Sequence, residues 1–269
     1  MGGETRIFGI LNVTPDSFFD GGRFAGVDAA VGQGRRLAGE GAAAIDVGGQ
    51  STRPGEREEL GAAAEIARVV PVLERLAPAV AVPISIDTFQ PAVARAALAA
   101  GAHLVNDVHG FQGDPGMAAV VAEFGCPVIL MHWDRGFAAE PGDAIEKIKR
   151  WFARSLELAR QAGVAAERII LDPGIGFAKA PTQSLEVTGR IGELRSLGFP
   201  LLLGASRKSA LGHALGGLPA GERLEATLAT TVLAAAEGIE FVRVHDVLAN
   251  FRAARTAEAV LRAKRMCAP

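Results

Sequence analysis

Short apolar runs along this chain close, one after another, on residues able to do chemistry. In order these are Asn12, Asp46, Asp87, Asn106 with Asp107, His132, Asp172, then Ser206, Arg207 and Lys208, and finally Arg243 with His245. A single Asp or Asn at such a point is ordinary turn capping. A polar closure on every run is more than turn chemistry requires. The residues divide into two chemical sets. Asp87, Asn106 and Asp172 supply carboxylates and an amide, a set suited to a nitrogen-rich heterocycle. A carboxylate holds an aminopyrimidine-type edge through two parallel hydrogen bonds. Arg53, Arg207, Lys208, Arg243 and His245 are cationic and suit a phosphate or diphosphate. Arg243 and His245 lie two apart on an extended segment and therefore face the same side. Asn12 adds a neutral hard oxygen, which beside a diphosphate would help hold Mg²⁺ together with phosphate oxygens and water.

Other chemistries find no support. There is no HExxH and no GxxxxGK[ST] phosphate loop. Gly174 and Gly176 give GxG, but Lys179 follows where a dinucleotide motif needs its third glycine. The two cysteines, Cys126 and Cys267, match neither a zinc spacing nor a disulfide framework, which fits a reducing cytoplasm. A formal net charge of −2 makes no global field to attract nucleic acid, so an anionic substrate needs a local cation cluster. No apolar run approaches the roughly 18–20 residues of a membrane span, and no targeting segment is read at the N-terminus.

The elements that must position these residues follow from the pattern. Eight short apolar runs, Arg6–Asn12, Ala43–Val47, Pro83–Asp87, His103–Asn106, Pro127–Met131, Arg168–Asp172, Pro200–Gly204 and Glu240–Val244, read as buried parallel strands. Amphipathic stretches separate them. One has Ile66, Val69, Val70, Leu73 and Leu76 on one helical face, and another has Ile145, Ile148, Phe152 and Leu156. Asp28 and Asp114-Pro115 read as helix starts. The seventh helical stretch breaks near Gly216-Gly217-Leu218-Pro219. Eight βα units in 269 residues, 49% apolar and without a linker, predict a single α/β domain, residues 1–269, folded as a (β/α)8 TIM barrel. An open doubly wound sheet is the competing architecture. In a barrel, every one of these polar closures falls on the C-terminal face of the strands, where the active site is expected. Two long Gly- and Pro-rich loops, Asn12–Gly22 and Asp46–Gly55, read as lids, with Phe18 and Phe19 as residues that would close over a substrate ring.

With these residues in place, the sequence resembles the dihydropteroate synthases. The resemblance runs from Asn12 to about Val247. It rests on NVTPDSF (Asn12–Phe18), GGQSTRPG (Gly48–Gly55), SIDTF (Ser85–Phe89), ND (Asn106–Asp107), LMH (Leu130–His132), DPGIGFAK (Asp172–Lys179), SRKS (Ser206–Ser209) and RVHDV (Arg243–Val247), in the family's order. It implies transfer of a pterin methylene from its diphosphate to p-aminobenzoate, giving dihydropteroate for folate synthesis. By that resemblance Asp87, Asn106, Asp172 and Lys208 would hold the pterin. Asn12, Arg53, Arg243 and His245 would hold the diphosphate, with Mg²⁺ at Asn12 and Asp46 in support. Phe18, Thr52, Pro54, Phe177 and Ser209 would form the p-aminobenzoate pocket. Asp87, Asp172, Lys208, Arg243 and His245 would carry the catalysis. The resemblance also implies a homodimer in the cytoplasm acting on small molecules, with neither nucleic acid nor membrane as partner.

One residue departs from the pattern: Gln50 stands where the family motif has Glu. GFAKAPTQSL carries no insertion after the glycine turn, which fits a sulfonamide-sensitive enzyme. Two alternatives share part of the residue set. A pterin-binding methyltransferase component would keep Asp87, Asn106 and Asp172 without needing SRKS or RVH. A non-catalytic pterin-binding barrel would bind without turnover.

Overall fold

The computed structural model describes residues 4–13, 23–50 and 60–266. Phe18, Phe19, Thr52, Arg53, Pro54 and Cys267 lie outside the described residues. Eight strands are present: β1 (Arg6–Asn12), β2 (Ala44–Gly48), β3 (Ile84–Asp87), β4 (Leu104–Asp107), β5 (Val128–Met131), β6 (Ile169–Asp172), β7 (Leu202–Leu203) and β8 (Phe241–Val244). All of their pairings are parallel, in the order β6-β5-β4-β3-β2-β1-β8-β7. A parallel bridge between Leu171 and Leu201 joins β6 to the residue before β7. That bridge closes the ring, so the sheet is a barrel and not an open doubly wound sheet.

The strands start later than the apolar runs suggested. Pro83, Pro127 and Pro200 fall outside β3, β5 and β7, because proline has no N–H to give to a ladder. Their carbonyls still accept from the neighbouring strands: from Ile45 N–H at 3.0 Å, Val105 N–H at 3.1 Å and Leu171 N–H at 2.9 Å. The prolines thus define where each strand begins without breaking the ring.

Alternation along the strands sorts the barrel into two environments. Phe8, Ala44, Leu104, Ile129, Leu202 and Phe241, with Ile170 against them, form a cluster of their own that plugs the lower interior. Phe8 and Phe241 meet edge to face with ring centroids 5.3 Å apart. The intervening residues, among them Ile7, Ile45, Ile86, Val105, Leu130, Leu171 and Val242, belong to the large cluster shared with the helices. Two residues beyond the plug the inward side turns polar. Ala44 is followed by Asp46, Leu104 by Asn106, Ile170 by Asp172 and Phe241 by Arg243. Apart from Asp107 at the end of β4, the outward side stays apolar to the strand end, which is why each run looks continuously apolar.

The helices follow the strands as α1 (Arg23–Gly39), α2 (Ala62–Leu76), α3 (Pro91–Ala99), α4 (Gly116–Phe124), α5 (Ala144–Ala162), α6 (Pro181–Gly189), α7 (Ser209–Ala214), α8 (Leu224–Ala236) and α9 (Val247–Met266). In α2 the buried face is Val69, Val72, Leu73 and Leu76, while Ile66 and Val70 lie at its margin. Ile145, Ile148 and Phe152 are buried in α5, and its start is capped by Asp143, whose Oδ1 accepts from the Ile145 and Glu146 amides at 2.9 and 3.0 Å. Asp114 does open α4, accepting from Gly116 N–H at 2.8 Å. Asp28 does not start a helix. It lies inside α1 and pairs with Arg75 of α2. The break in the seventh helical stretch is real: Gly216 and Gly217 have φ of +74° and +100°, between α7 and α8.

One glycine past β6 is required sterically. Gly174 has φ +67°, and a Cβ there would lie 2.0 Å from the His132 carbonyl oxygen at the end of β5. Gly125, after α4, has φ +57° but nothing within 4 Å of a Cβ. The pair separates backbone strain from collision. Gly125→Ala is expected to cost about 1 kcal/mol and Gly174→Ala about 3 kcal/mol or more, measured by urea unfolding of both variants beside the parent. Equal losses would remove the steric role of Gly174.

Candidate active site

The site sits on the polar upper layer of the barrel. Register aligns Asn12 of β1 with Gly48 of β2, Gly48 with Asp87 of β3, and Asp87 with Asn106 of β4. Four adjacent strands therefore bring their ends level. Gly48 leaves a gap in the row. Among the described residues, the nearest atoms to a Cβ there would be Asp87 Cβ at 3.6 Å and two oxygens further off, one of them Asn12 Oδ1 at 3.9 Å. On the far wall, Gly204 just past β7 gives room to Asp172, since its Cβ would lie 3.2 Å from Asp172 Oδ2.

Arg243 links the walls. From β8 it passes β1 and donates from Nε to Asp46 Oδ2 at 2.5 Å and from Nη2 to Asp87 Oδ2 at 2.5 Å. Asn106 Nδ2 donates to the same Asp46 oxygen at 3.2 Å. Asp46 is fully buried, Asp87 and Asn106 nearly so. Four further oxygens in this layer have no hydrogen-bond partner among the described residues: Asp46 Oδ1, Ser85 Oγ, Asp87 Oδ1 and Asn106 Oδ1. Buried polar atoms are normally paired, so this cluster presents unmet acceptors to anything that enters with N–H groups.

Burial sets the electrostatics. It pushes the Asp87 carboxyl up to about 7 against the pull of Arg243, with Asp46 adding to the rise. It also raises Asp172, opposed by the Gly174 N–H that donates to Asp172 Oδ1 at 2.8 Å and by the charge of Lys208. Desolvation works against the Arg243 guanidinium, but Asp46 and Asp87 hold it charged well above its ordinary value.

Lys208 reaches the same mouth from the loop after β7. Its Nζ lies 4.0 Å from the centroid of the buried Phe177 ring, a cation–π contact, and its charge acts on both Asp172 and Asp87. Ser209 is the first residue of α7. His245 is oriented by Ser206, whose Oγ lies 3.0 Å from Nδ1 and accepts from the His245 amide at 3.2 Å.

The structure thus brings together Asp46, Asp87, Asn106, Asp172, Lys208 and Arg243, with Asn12, His245, Phe177 and Ser209 on strand ends or loops of the same face. Phe18, Thr52, Arg53 and Pro54 lie outside the described residues. Three polar closures drop out. Arg207 adopts φ +56° and spends its guanidinium on Asp246, at 3.0 and 2.7 Å, so it does not join the cation set. Asp107 and His132 follow inward-facing residues and so fall on the outer side. Asp107 accepts from the His109 and Phe111 amides at 2.9 and 2.7 Å and serves as a turn anchor, its carboxyl raised by burial to about 6.

An aromatic arc on the rim went unread in the sequence. Ring centroids of Phe89 and His109 are 4.9 Å apart, His109 and Trp133 4.9 Å, and Trp133 and Phe177 5.5 Å. Val108 and Met131 pack beneath them. Phe89 and Trp133 lie two residues past the inward ends of β3 and β5, so continuing the period-two count beyond those strands would have found them, whereas His109 continues the outward side of β4 after Asp107 and that count would have missed it.

Comparison with known proteins places this geometry. The model of the pterin binding enzyme family matches residues 8–245. A dihydropteroate synthase of Clostridium beijerinckii is 46% identical over 263 residues, covering 97% of this chain and 96% of its own. A crystal structure of dihydropteroate synthase from Clostridium difficile, in the presence of pteroic acid, superposes with a TM-score of 0.93 at 46% identity, covering 97% of this chain and 98% of that one. The Xanthomonas albilineans dihydropteroate synthase with 4-aminobenzoic acid gives a TM-score of 0.90 at 41% identity over 99% and 94%. The match spans the strands, the polar layer and the loops after β6 and β7 alike, and the chain belongs to the pterin binding enzyme family.

Proposed function

We propose that this chain is a dihydropteroate synthase, joining 6-hydroxymethyl-7,8-dihydropterin diphosphate to p-aminobenzoate with release of diphosphate. The observation that carries the reading is the layer of unpaired buried acceptors around Asp87 and Asn106, facing Asp172 and Lys208 across the barrel mouth. A pterin edge is rich in N–H donors, and carboxylates in a dry site bind such an edge strongly. Asp87, Asn106, Asp172 and Lys208 hold the pterin in this reading. Arg243 and His245 face the diphosphate with Asn12 and Arg53, and Phe18, Thr52, Pro54, Phe177 and Ser209 line the arylamine pocket.

The residues also bear on a metal. Among the described residues no group of three or more His, Cys, Asp or Glu gathers to hold an ion. Asn12 offers one hard oxygen beside the open space at Gly48. That donor set fits Mg²⁺, which takes most of its shell from water and phosphate oxygens. Bound there, Mg²⁺ would neutralise charge on the leaving diphosphate.

The chemistry asks for positioning more than for a nucleophile. The C–O bond from the pterin methylene to diphosphate breaks as the arylamine nitrogen bonds to that carbon, and the nitrogen then loses a proton to water. Asp87 and Asp172 lower the energy of positive charge spreading into the pterin, while Arg243 and His245 meet the negative charge building on the diphosphate. Lys208 over Phe177 fixes the face on which the two substrates meet. No side chain of the cluster forms a covalent bond to substrate in this scheme. The small-molecule reading is joined by a cytoplasmic homodimer. Exposed Val232 and Leu233 on α8 and Leu248 on α9 support an apolar contact between copies. No helix among the described residues is long and apolar enough to cross a membrane.

The direct test is turnover of the pterin diphosphate with Mg²⁺, with and without p-aminobenzoate. Dihydropteroate should form, and only when the amine is present. Tight pterin binding with no product would instead favour a binding module. A second test uses pH. With Asp87 ionising at about 7, affinity for dihydropteroate should drop by about tenfold from pH 8 to pH 6, and Asp87→Asn should flatten that slope; an unchanged slope would remove Asp87 from pterin recognition. The third concerns the ion bridge. Arg243→Met leaves Asp46 and Asp87 buried without a counter-charge and should cost about 3–5 kcal/mol at pH 8. The penalty should shrink as pH falls from 8 through about 7 and level off below, because without the pull of Arg243 the variant's folded form binds the Asp87 proton at a higher pH than the parent's, which binds it at about 7. Chemical denaturation at pH 8 and pH 6 checks it.

A further inference from the structure

Behind the Asp172 wall lies a polar cluster that the proposed reaction does not touch. Lys179 ends the DPGIGFAK segment and is only 8% exposed. Its Nζ lies 2.8 Å from His132 Nδ1, 3.0 Å from the Gly174 carbonyl and 3.3 Å from the Phe177 carbonyl. Three acceptors match the three N–H groups of an ammonium. His132 is fully buried, with its ring 5.1 Å from Phe137 and 4.9 Å from Trp151. Burial and then the charge of Lys179 pull the imidazole down to about 2, so it stays neutral and Nδ1 is free to accept.

Burial pulls the Lys179 amine down to about 7 against the pull of Asp172, so holding an ammonium here is expensive, and an apolar side chain of the same length would cost less. Its position explains the expense. The turn it grips is irregular. Gly174, Gly176 and Ala178 have φ of +67°, +79° and +49°. A non-glycine residue such as Ala178 stays in the left-handed region only when its surroundings hold it there. The turn itself supplies little: Phe177 N–H donates to Gly174 at 3.1 Å, and Gly176 N–H to Ser184 Oγ at 3.3 Å. Yet two parts of the site hang from it. Gly174 N–H orients Asp172 Oδ1, and the Phe177 ring carries Lys208.

We propose that Lys179 is a positioning residue for the transferase: seated on His132 Nδ1, its ammonium clips the Gly174 and Phe177 carbonyls and thereby sets where the Asp172 carboxylate and the Phe177 ring meet the two substrates. This rests on the dihydropteroate synthase reading given above. Lys179 touches neither substrate, so its loss acts on binding and geometry before it acts on chemistry.

The test compares K179M, H132F and H132N with the parent, by steady-state kinetics, pteroate binding and amide hydrogen exchange of residues 174–178. In K179M, KM for both substrates should rise about tenfold, with a smaller fall in kcat. Exchange in the turn should quicken by about tenfold while β6 stays protected. H132F keeps an aromatic ring but lacks the acceptor, and should move the same quantities in the same direction. H132N keeps an acceptor and should stay within about threefold of the parent. If K179M does not accumulate as folded protein, H132F decides by the same criteria. KM and exchange within about twofold of the parent would overturn the proposal, as would a fall in kcat with both KM values unchanged. If the parent forms no dihydropteroate, the transferase reading fails instead, and pteroate affinity with turn exchange still decides the clip.

Discussion

A guanidinium held between two carboxylates inside an apolar barrel is the interaction on which the rest of this structure depends. Arg243 meets Asp46 and Asp87 at 2.5 Å each, at a depth where an unpaired charge is costly. The barrel below is sealed by Phe8, Phe241, Leu202 and their neighbours. Water therefore reaches the polar layer only from the top, and the layer must balance its own charge. It does so incompletely. Asp172 and Asp87 are both pushed up by burial, and Lys208 is the further cation acting on them. An entering ring that brings N–H donors completes what the protein leaves unfinished, so affinity and folding draw on the same unpaired oxygens.

The two walls of the site are built differently. From β1 to β4 the walls are strand ends in register, with Asn12, Gly48, Asp87 and Asn106 level across three ladders. Side chains on adjacent strands of a closed barrel keep their spacing to within the pleat. Opposite them, Phe177 and Lys208 stand on loops after β6 and β7. The strand wall suits the rigid recognition of a fused ring. The loop wall takes its shape from the turn after β6 and faces the second substrate.

Much of this was legible in the sequence, for reasons that differ by residue. Strand number and order followed from eight apolar runs, and the barrel from their alternation with helices. The polar closures were legible because chemistry concentrates at strand C-termini in this architecture. The direction of each closure was not. Asp107 and His132 look like Asn106 and Asp172 in one dimension, but one step along a strand turns a side chain from the barrel interior to its outside. Arg207 read as a site cation, and only the left-handed backbone at that residue turns it to Asp246. Asp28 read as a helix start because an Asp ahead of an apolar helical stretch is an N-cap signal, but α1 already runs from Arg23. Arg243 read as a diphosphate ligand, a role the proposed function keeps. Its place between two carboxylates depends on β8 pairing with β1, a contact that closes the ring over more than two hundred residues of chain and that no local pattern reveals.

The alternation rule also explains why a residue with no catalytic appearance controls the loop wall. At the end of β5 the inward residue is Met131, so His132 must point outward into the helical layer, among Phe137 and Trp151. An imidazole there can neither hydrate nor ionise, and one of its nitrogens must find a donor within the fold. Lys179 is that donor, and the same ammonium has two hydrogens left for carbonyls on the turn after β6. Satisfying Nδ1 of a buried histidine on the outside of the barrel, whose Nε2 has no partner among the described residues, thus tethers the turn that shapes its mouth. The cost of burying two titratable groups is offset where geometry matters most. A turn with three left-handed residues would otherwise sample several shapes, and of those shapes the tethered one presents Asp172 and Phe177 to the same point.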